Sequence, residues 1–326
     1  MAKINMVQSL NQTLHTVMEK DDTVLVMGED VGINGGVFRV TEGLFEKFGR
    51  ERVIDSPLAE STILGSAIGM AIAGLKPVIE MQFSGFSYLM MHQMEGNASR
   101  MRTRSRGMFT VPLVVRMPYG GGVRALEHHS ESKEVYYAHT PGVKVVIPST
   151  PANAAQLLEA AVNDPDPVVF MEPKRSYRSF KQDISKVQET AVIGKAQILE
   201  KGDDITVISW GAMMRDTLSA VETVKQETGC SMDVIDLLTI SPMDTAAIIE
   251  SVQKTGRCVV VQEAQKSFGP ASEIIAVIND DALMYLEAPV KRVTMYDLPF
   301  PLFGRDHMYM PSKNKIIHAI RDTLNE

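Results

Sequence analysis

The 326-residue chain is 44% apolar and 22% charged, with a formal net charge of −7. This is the make-up of a soluble globular protein long enough to bury two cores. The acidic balance argues against a dedicated nucleic-acid surface, no stretch of about 20 apolar residues offers a membrane span, and the polar start lacks the apolar centre of a signal peptide. Cys230 and Cys258 lack CxxC spacing and lie in or beside apolar segments, so both are expected to be reduced and buried, and the chain is expected in the cytoplasm or an equivalent reducing compartment.

Leu10 to Met18 reads as a helix and Thr23 to Met27 as a buried parallel strand ending in Gly28-Glu29-Asp30-Val31-Gly32. Turns at strand C-termini are where open α/β sheets place ligands. The glycines at 32, 35 and 36 do not form a GxGxxG fingerprint, which disfavours a dinucleotide-binding oxidoreductase. A second strand ends in Asp55-Ser56-Pro57, where proline stops the ladder and a helix can open, so Glu60 falls in the first helical turn. A carboxylate there suits the helix dipole, which leaves an acidic cap and a functional carboxylate both open.

Along that helix Gly65, Gly69 and Ala73 recur every four residues and leave one face nearly bare, as close packing against another helix in a soluble assembly requires. Pro77 to Met81 is a buried strand, followed by Gln82, Phe83 and Phe86 in a glycine-containing turn. Tyr88 to Arg104 reads as one long helix whose Arg100, Arg102, Arg104 and Arg106 form a solvated or subunit-contacting face, since no aromatic residues interleave to stack bases. Val111 to Met117 is a strand, and Gly120-Gly121-Gly122 then marks a loop that must move or admit something close to its backbone.

Leu126-Glu127-His128-His129-Ser130 follows; the spacing leaves a surface pair and a catalytic loop both open, and no third ligand sits at zinc spacing. Pro151 to Asn163 is a helix closed by an Asp164-Pro165 turn, and Asp164 to Glu172 returns the chain to the sheet. From Pro173 to Ala191 the pattern turns polar and loses periodicity, as a linker would. Strands at Ile205 to Trp210, Met232 to Asp236 and Arg257 to Gln262 then alternate with helices, and Ser312 to Leu324 closes the chain as a helix.

Three runs, Asp-Ser-Pro-Leu-Ala-Glu at 55–60, Gly-Met-Ala-Ile-Ala-Gly-Leu-Lys-Pro at 69–77 and Glu-Met-Gln-Phe-Ser-Gly-Phe at 80–86, carry a resemblance. Over essentially its whole length the chain resembles beta subunits of the thiamine-diphosphate-dependent first component of 2-oxoacid dehydrogenase complexes, within the transketolase-like superfamily. The resemblance implies an α/β fold: an N-terminal pyrimidine-binding-type parallel sheet flanked by helices over residues 1–180, a linker at 181–195, and a smaller C-terminal α/β domain of transketolase type over 196–326.

The resemblance further implies that Glu60 bonds the aminopyrimidine ring of the cofactor, that Phe86 stacks on it and Gln82 lines the same pocket, that Glu29 lies nearby, and that His129 is the catalytic histidine with His128 its neighbour. The cofactor's magnesium would be held mainly by a partner alpha subunit, because the Gly-Asp-Gly motif with its later Asn is missing and Gly202-Asp203-Asp204 is only an approach to it. Expected partners are that alpha subunit, in an assembly of two alpha and two beta chains, and the lipoyl acyltransferase core. A potassium ion could rest on Leu113, Ala161, Val162, Asp164 and Asp166. Gln262 stands where relatives often have His before Glu263-Ala264, so no role transfers there.

The implied activity is oxidative decarboxylation of a 2-oxoacid, pyruvate or branched-chain, followed by reductive acylation of a lipoyl group. An acetoin dehydrogenase beta subunit and a non-catalytic assembly module of the same fold are the alternatives.

Overall fold

The computed structural model describes residues 3–187, 189–302 and 304–326. Among these, twelve strands run in chain order as β1 Val24–Gly28, β2 Val53–Asp55, β3 Lys76–Glu80, β4 Val114–Tyr119, β5 Lys144–Val146, β6 Val168–Pro173, β7 Gln197–Glu200, β8 Ile205–Ser209, β9 Met232–Asp236, β10 Thr239–Ser241, β11 Cys258–Gln265 and β12 Lys291–Met295. The first sheet has the order β10-β5-β6-β4-β3-β1-β2, and all its neighbours are parallel except β10, which pairs antiparallel with β5. The second has the order β12-β11-β8-β9-β7, with β7 antiparallel to β9.

β1, β4 and β6 are buried along their full length, so their continuous apolar runs reflect helical cover on both faces. The Met6–Lys20 helix begins at Asn5, whose side chain accepts from Gln8 N while Gln8 bonds back to Asn5 N. Thr150 and Asn153 form the same box at Pro151–Val162, with Pro151 preset for the first turn. These two helices pack together on one face. The Glu60–Ile72 helix covers the other.

One apolar core runs from Ile63, Leu64 and Ile79 through Trp210, Ile235 and Leu237 to Val260 and Ile274, so it spans both sheets. The crossing strand β10 carries residues from the second unit into the first sheet. The Met213–Thr228 and Lys313–Asn325 helices close the far side of the second sheet.

Three expectations change. The long helix over Tyr88 to Arg104 is instead 3-10 turns at Ser84–Met90 and Ala98–Arg100 alternating with α-helix at Met91–Gly96 and Met101–Arg104. The break falls at Asn97, where φ is −128° and ψ −64°, and local side chains compete for the backbone: Ser99 Oγ donates to Glu95 O and Arg104 Nη1 to Gly96 O. Both cysteines are free, but only Cys258 is buried; Cys230 is partly exposed after the turn at Gly229, where φ is 75°.

The polar stretch from Pro173 to Ala191 lies against the first unit: Ile4 and Gln182 exchange main-chain bonds of 2.9 Å, Tyr177 is buried, and Ala191 N donates to Gln156 Oε1. Gln188, inside the expected linker, lies outside the described residues.

Candidate active site

The C-terminal ends of five neighbouring parallel strands line up on one edge of the first sheet. In spatial order β6 ends before Lys174, β4 before the glycine loop and His129, β3 before Gln82 and Phe83, β1 before Glu29, and β2 before Glu60. β2 and β3 flank β1, so the winding reverses there, the point at which open α/β sheets carry a ligand crevice. Glu29, Glu60 and Gln82 follow the strands at that reversal.

Glu60 is the first residue of its helix and is buried; its N-cap, Ala59, offers no side-chain bond. Glu29 is 5% exposed, and neither carboxylate oxygen has a hydrogen-bond partner. Burial, then the nearby charges of Glu60 and Asp30, push the Glu29 carboxyl up to about 7. Asp55 fixes the crevice wall by accepting from Gly32 N at 2.6 Å and Ile33 N at 3.2 Å. Gln82 Nε2 donates weakly to Asp30 Oδ2 at 3.4 Å.

Next along the edge, Phe83 stands edge-on to Phe38, Phe86 and His129, with ring centroids 5.6, 5.7 and 4.2 Å away. Phe86 also meets His129 edge-on at 5.4 Å. The His129 ring is half-buried, its Nδ1 has no partner, and burial, then the charges of Lys174 and His128, lower its pKa. His128, by contrast, is exposed, with Nδ1 3.6 Å from Glu127 Oε1.

The glycine loop is crowded by the second unit. Gly121 N donates to Glu263 Oε1 at 2.5 Å, and a Cβ on Gly121 would strike Phe300. Gly120 has φ of +85°, and its missing Cβ faces the same Glu263 carboxylate. The close approach expected of this loop is therefore met by β11.

The expected potassium residues converge at the end of the Pro151–Val162 helix, where Val168 N donates to Leu113 O and Asp164 N to Ala161 O. Their carboxylates, however, are already engaged: Lys144 Nζ donates to Asp164 at 2.6 and 2.7 Å and Arg102 Nε to Asp166 Oδ1 at 2.7 Å. Lys144 and Arg102 therefore already supply the positive charge at that turn. Asp204 caps a turn by accepting from Ser231 N and Oγ, so the approach to a magnesium motif is structural. Among the described residues no cluster of three or more His, Cys, Asp or Glu is placed to hold a metal, and no helix is long and apolar enough to cross a membrane.

Residues 2–179 match the family profile of the transketolase pyrimidine binding domain and residues 194–316 that of the transketolase C-terminal domain. A pyruvate dehydrogenase E1 component subunit beta of Acholeplasma laidlawii is 51% identical over 321 residues, covering 98% of both chains. The protein of the same name from Bacillus subtilis (strain 168) is 47% identical over 324 residues, covering 99% of each. The chain belongs to the pyruvate dehydrogenase E1 beta family. Its fold is also that of a solved chain titled split gene transketolase, inactive beta4 tetramer, with a TM-score of 0.80, 18% identity and 99% of each chain covered.

In this E1 beta family member the edge also holds charged groups that the sequence reading passed over. Arg116 on β4 donates from Nη1 to Glu80 Oε2 at 2.9 Å and from Nε and Nη2 to Glu172 at 2.7 and 3.0 Å, and Tyr177 Oη donates to Glu172 at 2.5 Å. A charge inside each of three Val-rich strands was the available signal; their pairing needed the register that sets Glu80 beside Arg116. Lys174, Glu263 and Glu134 are buried as well, and nothing local to the sequence marks them.

Proposed function

We propose that this chain is the beta subunit of a pyruvate dehydrogenase E1 and supplies the pyrimidine half of a thiamine diphosphate site that an alpha subunit completes. The observation that carries the reading is the pair of unbonded, buried Glu29 oxygens beside Glu60 at the sheet's winding reversal. An amino-substituted heteroaromatic ring is the kind of group such a crevice fits: it offers donors to carboxylates and flat faces to Phe86. The names of the full-length relatives favour pyruvate over acetoin or a branched-chain acid.

When bound, thiamine diphosphate supplies the electron sink for breaking the bond between the carbonyl carbon and the carboxylate of a 2-oxoacid. Glu60 holds a proton at the pyrimidine ring nitrogen, assistance of a kind worth roughly 10²–10⁴-fold. Glu29, with its carboxyl raised to about 7, limits the negative charge beside Glu60 near neutral pH. Gln82 lines the ring edge. His129, whose pKa burial lowers, moves a proton at the lipoyl sulfur during reductive acylation of the acyltransferase core.

The partner alpha subunit holds magnesium and the diphosphate, in an assembly of two alpha and two beta chains, with the bare Gly69 and Ala73 face available for packing. The main-chain oxygens near Asp164 are the seat for a potassium ion, and the two free cysteines suit the cytoplasm.

The test is dye-linked decarboxylation of pyruvate by this chain co-expressed with a cognate alpha subunit, with Glu60→Gln in parallel. Turnover in the pair alone, reduced about 10²–10⁴-fold in the variant, is the expected result. Full activity of the variant would make Glu60 a helix cap and reinstate the assembly-module alternative.

A further inference from the structure

One strand along from His129 lies a group that the proposed chemistry leaves unused. Lys174 follows β6, is 5% exposed, and its ammonium has no hydrogen-bond acceptor. It sits 5.5 Å from the centroid of Phe83, the ring that also contacts His129. The residue lines a cavity of about 310 Å³ walled by Phe38, Tyr177, Gly122 and Val123, and its Nζ is buried behind that lining.

Of the neighbouring cations, Arg175 is paired, its Nη2 donating to Ala212 O and Asp216 Oδ2, while Arg178 stands exposed at the rim with Nη2 donating to Phe38 O. Glu263, on β11, is the opposite charge that faces Lys174, but its Oε1 accepts from Gly121 N and, at 3.5 Å, from Ser132 Oγ. His129 faces Lys174 from the loop after β4. A lone buried ammonium is costly unless an anion meets it.

We propose that Lys174 docks the carboxylate of the 2-oxoacid, with the cavity bounded by Phe38, Tyr177 and the glycine loop receiving the substrate. The proposal deepens, and rests on, the 2-oxoacid reading above. A pH signature follows from the burial that lowers Lys174 to about 7: the free site is charged below that pH and neutral above it. A bound carboxylate raises the lysine again, so substrate affinity falls by up to about tenfold per pH unit above neutrality. The cofactor's diphosphate is a second source of negative charge, and inorganic pyrophosphate is the probe for it.

The experiment uses the co-expressed alpha and beta assembly with Lys174→Met and Lys174→Arg. Pyruvate binding is followed by ligand-observed NMR without thiamine diphosphate, at pH 6.5 and 8.5, and KM and kcat are measured with the cofactor restored. Lys174→Met removes a buried unpaired charge, so it is expected to fold at least as stably as the parent.

The expected result is pyruvate binding and KM weakened about 10–100-fold in Lys174→Met, with kcat little changed, near-parental behaviour in Lys174→Arg, weaker parental binding at pH 8.5, and no effect of the variant on uncharged pyruvamide. Parental pyruvate affinity in Lys174→Met, or dependence on Lys174 for pyrophosphate but not for pyruvate, overturns the proposal. Lys174-dependent pyruvate binding in an assembly that never decarboxylates supports the docking site while removing the functional reading, so the two failures are distinguishable.

Discussion

The two sheets treat most of their buried polar groups differently, although Thr217 Oγ1, Asp236 Oδ1 and Arg257 Nε of the second unit also lack partners. In the second, Asp233 accepts from Gly202 N and Ser251 Oγ and pairs with Lys254, Thr206 shares its hydroxyl with Ser251 and Thr255, and Gln262 accepts from Ala271 N and donates to Gln265 O. Along the C-terminal edge of the first, Glu29, His129 and Lys174 are left without partners. Closed networks hold a domain together, whereas open ones cost stability that only a ligand can return. The contrast separates a unit built to be stable from an edge built to bind.

The sharpest way to break the comparison lies in the first sheet itself, where one polar group is fully satisfied. Arg116→Met would leave Glu80 and Glu172 facing each other without the guanidinium that bridges them. We expect a loss of about 3–5 kcal/mol, read as a lower midpoint in urea unfolding. A loss under about 1 kcal/mol would place this triad with the open groups rather than the closed ones.

The glycine loop tests the seam between the two units. Gly120→Ala must hold φ near +85° and place a methyl against the Glu263 carboxylate. The expected cost is about 1–3 kcal/mol, with the loop displaced from β11; amide exchange at Gly121 should speed up because its bond to Glu263 is lost. Unchanged exchange would show that the loop is held from its own side.

Much of this layout was legible beforehand. Runs such as Val24 to Met27 and Val168 to Met171 specify buried parallel strands, and Pro151 opens its helix as expected, whereas the first helix starts at Met6 rather than Leu10, behind the Asn5 cap. The motif around Glu60 marks a strand end followed by a helix, and the structure brings Glu29, Gln82, Phe86 and His129 to the same edge. What escaped depends on distant partners. β10 joins the first sheet from beyond the second unit's first strands, the 88–104 segment bends where side chains capture its backbone, and Lys174 and Glu263, far apart in sequence, are buried facing each other. Local pattern carries none of that information.

A smaller effect tests whether the open groups cost stability as argued. Glu29 is raised to about 7 in the folded protein from about 4.3 in the unfolded chain. The folded state therefore binds the extra proton in that window, and stability contributed by the neutral group falls as pH rises from about 4.3 to 7 and is flat above. Glu29→Gln should unfold at higher urea than the parent at pH 8, with the gain shrinking as the pH is lowered toward 4.5. A gain independent of pH would mean that the carboxyl is not what costs stability.

The smallest expected effect falls on the helix that Glu60 opens. A Cβ at Gly69 would meet nothing within 4 Å, and Gly69 and Ala73 are exposed, while Gly65 already rests against Gln93. In the isolated chain Gly69→Ala should therefore stabilise by about 0.5–1 kcal/mol, because alanine loses less entropy than glycine in a helix. In the proposed assembly the same methyl would sit where a partner helix approaches, and association with the alpha subunit should weaken while the isolated chain gains. Opposite signs in urea unfolding and in titration of the alpha subunit would mark this face as a contact surface. A gain in both would leave it as ordinary solvent-facing helix and move the subunit contact elsewhere.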